Sequence, residues 1–172
     1  MVDTADAAAV AHELERQLER FRGLTGNDPS HLDSHQHVHR EEPVRSIMGR
    51  RAKELRVPLR HHGRMRYCGA FYGQRHNGSP MPEAIAPERL ARLLAELPEG
   101  ATELCCHPAA RVEAGMAYGP ERLREPESLC DPRVRQALER AGIRLCTFTE
   151  ALAAPATSGH LQHSVEPWAL LA

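Results

Sequence analysis

Segments of helical period and short apolar runs alternate along almost the whole chain, and no other feature narrows its fold as far. Val10, Leu14, Leu18 and Phe21 recur at intervals of four, four and three, which predicts a helix from residue 5 to about 22. Gly23, Gly26 and the run Asn27-Asp28-Pro29-Ser30 close it. Residues 31–39 read as an extended strand. Pro43 opens a second helix over 43–55, with Ile47, Ala52 and Leu55 facing inward. Val57–Arg60 is a short strand weakened by Pro58. Glycines and prolines punctuate residues 61–87, which predicts a long loop around a brief Cys68–Tyr72 strand. A third helix starts near Pro87 and carries Leu90, Leu93, Leu94 and Leu97. Thr102–Cys106 is a compact buried strand that ends at His107-Pro108. A polar loop runs on to Cys130, and Asp131 then caps a helix with Pro132 in its first position and Val134, Ala137, Leu138 and Ala141 inward. Ile143–Phe148 is the last strand, with a short helix over 149–152. The expected fold class is α/β: a parallel sheet built from βα units over residues 1–154, with 155–172 a disordered tail. In such folds, sites gather where strands end.

One of those strands is unusual. His31, Asp33, His35, His37 and His39 occupy every odd position of nine residues. In an extended strand alternate side chains share a face, and packing gives no reason to collect five titratable groups on one side. Metal chemistry does, because neutral imidazole and carboxylate are donors to divalent metals. The run alone does not say which histidines bind.

The rest of the composition excludes more than it assigns. Lys+Arg is 22 against Asp+Glu 23, and aromatics are 4 %. Neither a basic field nor a stacking surface marks the chain for nucleic acid. No apolar run approaches the length of a membrane span. Five cysteines without C-x-x-C spacing read as buried thiols in a reducing, cytoplasmic compartment.

The segment His31-Leu32-Asp33-Ser34-His35-Gln36-His37-Val38-His39 resembles the T-H-x-D-S-H-x-H-x-H segment of the YdjC-like carbohydrate deacetylases. Leu59-Arg60 is similar to that family's L-R segment, Ala70-Phe71-Tyr72-Gly73 to its F-Y-G segment, and Glu103-Leu104-Cys105-Cys106-His107-Pro108 to its E-[LV]-M-C-H-P strand. Arg122-Leu123-Arg124-Glu125 followed by Leu129 resembles R-x-x-E-L-x-x-L, with Pro126 in place of a leucine. The segments occur in family order from about residue 8 to 152. Two further family segments, A-D-D-F-G and G-x-H-x-x-L, have no counterpart in these 172 residues. The resemblance therefore implies an incomplete (β/α) barrel.

It also implies roles. His35 takes a metal-ligand position for a divalent ion, zinc or magnesium. His107 takes the position of the general acid. Asp33 stands where it would orient a histidine, or else where a carboxylate caps a turn. His37, His39, Arg60 and Tyr72 support the ligands from behind or face the substrate, with structural roles equally open, and His61, His62, His76, His160 and His163 receive no role. The implied reaction is removal of an N-acetyl group from an amino sugar or oligosaccharide, impaired where the two N-terminal segments are needed. The alternative is a catalytically inactive sugar- or metal-binding protein. A sheet without its first strands exposes an edge, which a second copy of the chain is expected to cover.

Overall fold

A computed structural model describes residues 3–113, 115–116 and 118–153. The expected tail at 155–172 lies outside them.

The first helix, α1 (Ala7–Thr25), runs longer than its apolar stripe suggests, and both ends have a physical cause. The Asp6 carboxylate accepts hydrogen bonds from the backbone N–H groups of Ala8 and Ala9 at 2.9 and 3.0 Å, satisfying donors that the helix start leaves bare. Gly26 adopts φ 71°, a left-handed turn that suits glycine, and its N–H returns to Arg22 O. Helix α2 (Val44–Leu55) buries Val44, Ile47, Met48 and Ala52. These side chains, with Val10, Leu18, Leu32 and Leu59, form one apolar cluster.

A second cluster lies further along the chain. Helix α3 (Pro87–Ala95) turns Leu90, Leu93 and Leu94 inward, and α5 (Pro132–Arg140) contributes Val134. Phe71 and Ile85 complete it. Each such leucine, taken out of water, adds about 1.5–3 kcal/mol. Asp131 caps α5 by accepting from Arg133 N at 2.8 Å. The short last helix, α6, covers Phe148–Ala153.

The sheet is parallel, as crossover units require. Strand β1 (Arg66–Cys68) pairs with β2 (Thr102–Leu104) in the register Arg66–Thr102, Tyr67–Glu103, Cys68–Leu104. A separate parallel bridge joins Leu32 to Leu59. Among the described residues these pairings form a mixed α/β structure with a parallel sheet and close no barrel.

Five expectations need correction. Residues 31–39 are not a strand: only Leu32 pairs, and His35–Arg40 winds into a 3-10 turn in which Gln36 and His37 take φ 52° and 56°. The odd-numbered side chains therefore do not share a face, and His35 is exposed while His39 has no accessible surface. The strand expected at Cys68–Tyr72 lies earlier, at Arg66–Cys68. The polar loop before Cys130 contains helix α4 (Gly119–Leu129), whose buried positions Glu121, Glu125 and Ser128 are polar, so no apolar stripe announces it. Residues 143–147 form no strand among the described residues, and Leu145 is 78 % exposed. Nor are the cysteines buried: Cys68, Cys105 and Cys106 are half-buried, Cys130 and Cys146 exposed, and all five are free thiols.

Candidate functional site

Two groups of polar side chains sit where the loops leave the sheet, and Arg60 connects their supports. Its guanidinium donates to Asp33 Oδ2 and, through Nε (2.8 Å) and Nη2, to Glu103 Oε1. Burial works against the charge of Arg60, but the hydrogen bond to Glu103 and the field of Asp33 outweigh it and raise its pKa. One cation thus ties the bridge segment after Pro29 to strand β2.

The first group contains three histidines. The 3-10 turn directs His39 inward, where its Nε2 lies 3.0 Å from the Arg60 carbonyl and its Nδ1 lies 2.6 Å from Ser34 Oγ. A carbonyl only accepts, so the proton is on Nε2 and the lone pair on Nδ1. His37 Nε2 is 3.2 Å from the Tyr67 hydroxyl, and its Nδ1 is buried with no hydrogen-bond partner among the described residues. His61, on a backbone at φ 63°, stands edge-on to His37 at 4.9 Å between ring centroids. One nitrogen from each of these three rings lies within 4.8 Å of the others. Burial holds the pKa of both His37 and His39 below the ordinary histidine value. These donors fit a divalent metal; His35 lies outside the trio.

The second group surrounds His107. Glu125, on α4, has no exposed surface and accepts from the His107 backbone N–H through Oε2 and from the Tyr118 hydroxyl through Oε1, the latter at 2.7 Å. Tyr118 in turn accepts from Gly73 N at 2.6 Å. A Cβ on Gly73 would come within 3.1 Å of that hydroxyl and 2.9 Å of Ile85 Cδ1, so this approach needs glycine. Tyr72 stacks on Tyr118 at 4.4 Å, and both rings stand edge-on to His107 at 5.6 and 5.7 Å. His107 Nδ1 is buried without a hydrogen-bond partner among the described residues. Burial lowers the His107 pKa, and the nearby Glu125 charge opposes that shift.

His35 and Asp33 face a third feature, a cleft of ≈ 540 Å³ under α1 whose walls include Leu14, Leu18, Phe21 and Val38.

Comparison with known proteins places the chain in a family. A family profile described as YdjC-like protein matches residues 1–140. The chain belongs to the YdjC-like family. It is 32 % identical over 161 residues to a chitooligosaccharide deacetylase of Klebsiella pneumoniae (strain 342), covering 82 % of this chain and 60 % of that protein. It is 29 % identical over 154 residues to a carbohydrate deacetylase of Geobacillus stearothermophilus, covering 82 % and 59 %. A crystal structure from Enterococcus faecalis V583, described as a cellobiose-phosphate cleavage protein, superposes with a TM-score of 0.68 at 25 % identity, over 84 % of this chain and 61 % of that one. This YdjC-like chain therefore spans about three-fifths of the length of the relatives it matches.

Sequence reasoning placed His107, Tyr72, His37, His39, Asp33 and Arg60 in or beside these groups. It missed three contributors. His61 follows Arg60 immediately but meets the other histidines only through the turn at φ 63°. Glu125 sits on a helix whose inward side looks like surface, and Tyr118 immediately precedes that helix. The R-x-x-E spacing was the available signal for Glu125.

Proposed function

We propose that this YdjC-like chain carries the leaving-group side of a carbohydrate deacetylase, which hydrolyses the acetamide of an N-acetylated sugar or oligosaccharide. The observation that carries the reading is the setting of His107. Its backbone is pinned by a fully buried carboxylate, its ring is walled by two stacked tyrosines, and its Nδ1 has no competing partner among the described residues. The names of the relatives supply the substrate class.

In this reading the His107 imidazolium gives its proton to the departing amine nitrogen as the C–N bond breaks. Burial disfavours the charged ring and holds its pKa below the ordinary histidine value, with the Glu125 carboxylate restoring part of that loss, so the imidazolium is the readier proton donor. The exposed side of Tyr72 offers a flat apolar surface to a sugar ring. Arg60 fixes Asp33 and Glu103 and so holds the loop ends in register. His35, exposed beside the cleft, keeps the ligand role its family position implies, with zinc or magnesium as the ion. A divalent ion, when bound, polarises the amide carbonyl and lowers the pKa of water.

The test is acetate release from N-acetylated chito-oligosaccharides by the chain supplied with zinc or magnesium. Replacing His107 by Ala is expected to lower the rate by about 10²–10⁴-fold with KM little changed. An active parent whose His107→Ala variant turns over equally fast would remove the acid role.

A further inference from the structure

We propose that His37, His39 and His61 form a metal site of their own, separate from the position His35 occupies, and that it takes a transition metal of the zinc class rather than magnesium. The inference does not depend on deacetylation.

The geometry supports it on several counts. The three candidate nitrogens lie within 4.8 Å of one another. Ligands about 2.0–2.1 Å from a tetrahedral zinc are about 3.3 Å apart, so rotations of the side chains by an ångström or so close the site. His37 and His39 each have one ring nitrogen already held by an oxygen, from the Tyr67 hydroxyl and the Arg60 carbonyl. That is how metal-binding histidines are usually oriented, because the outer hydrogen bond fixes the tautomer and directs the other lone pair inward. For His37 the other nitrogen, Nδ1, is buried and makes no hydrogen bond among the described residues. For His39 it is Nδ1, 2.6 Å from the Ser34 hydroxyl, which also accepts from the His39 backbone N–H at 3.0 Å and has to yield its place for a metal to bind there.

The backbone is arranged to bring the rings together. Gln36, His37 and His61 all adopt left-handed φ values of 52°, 56° and 63° without being glycine, a cost that tends to persist at functional positions. The fixed charges near the rings balance: two guanidiniums, Arg60 and Arg40, are set against two carboxylates, Asp33 and Glu103. The donor set also decides the metal. Three neutral imidazoles suit zinc, copper or nickel, whereas magnesium requires oxygen ligands and keeps its water.

The experiment is a calorimetric titration of the metal-free full chain with zinc, repeated with magnesium in excess and followed by cobalt(II) substitution read from its visible spectrum. The variants are His61→Asn and His37→Asn, because Asn tolerates the left-handed backbone better than Ala, and His35→Ala. Expected results are an equivalent of zinc that the parent binds and His35→Ala retains, no competition from magnesium for it, tetrahedral cobalt bands, and at least 100-fold weaker binding of that equivalent in both Asn variants. Metal-free melting curves that match the parent's exclude unfolding as the cause of that loss. Parent-like binding in His61→Asn, loss confined to His35→Ala, or no stoichiometric binding by the parent would each overturn the proposal. A chain that binds zinc through this trio but releases no acetate would leave the site standing and remove only the deacetylase reading.

Discussion

Replacing Glu125 by Gln tests the support of His107 with little change of shape. Glu125 is fully buried, and each carboxylate oxygen takes one donor, the His107 N–H and the Tyr118 hydroxyl. An amide keeps one acceptor and turns an NH₂ toward the other donor. One charge-assisted hydrogen bond, worth about 1.5–3 kcal/mol, becomes an ordinary one, and one buried donor loses its partner at about 1–3 kcal/mol. Allowing for overlap, the loss is about 2–4 kcal/mol. At about 2–4 °C per kcal/mol for a chain of this size, thermal unfolding should fall by roughly 5–15 °C. A second readout separates support from electrostatics. The Glu125 charge opposes the downward shift of the His107 pKa, so NMR titration of Glu125→Gln should find that pKa lower than in the parent. An unfolding midpoint within about 2 °C of the parent, with the His107 titration unmoved, would refute the argument from Glu125.

Three further outcomes follow from the same contacts. Arg60→Lys keeps the charge but cannot serve Asp33 and Glu103 with a planar fork; because Arg60 and Glu103 are only 14 % and 13 % exposed, urea denaturation should show a loss of about 1–3 kcal/mol. Burial lowers the pKa of His31, His37, His39 and His107, so below their unfolded value near 6.5 the unfolded chain binds more protons than the folded one; stability should be fully present above that pH and fall as pH drops through it, and melting midpoints equal at pH 7.5 and 5.5 would contradict this. The exposed Leu145 lies in a segment that pairs with no strand among the described residues, so light scattering should find association of the chain that Leu145→Lys reduces; a monodisperse parent monomer would count against it.

What the sequence disclosed, and what it hid, follow from which side chains do the burying. Helices α1, α2, α3 and α5 bury aliphatic side chains at helical spacing, and each was legible. Helix α4 buries Glu121, Glu125 and Ser128 instead and carries Pro126 within it, so the same rule passed over it. The histidine run failed differently. Alternation along a strand was a sound inference about facing only if the segment was extended. The left-handed pair Gln36-His37 turns it, separating exposed His35 from buried His39. His61 carried no local signal, since its neighbours in the trio lie more than twenty residues earlier in the chain.

Those same departures explain why the polar groups are arranged as they are. A strand would have placed His37 and His39 at adjacent positions of one face, with no other element needed to orient them. The turn instead puts the orientation of His39 in the hands of the Arg60 carbonyl, and the side chain of the same residue holds Glu103 on the strand that leads to His107. Residue 60 therefore acts on both groups: its backbone sets the tautomer of a histidine in the trio, and its guanidinium anchors the strand three residues before the Cys106-His107 step. Any change that lets that guanidinium go loosens Asp33 and Glu103 together. The trio and the His107 group thus share one support.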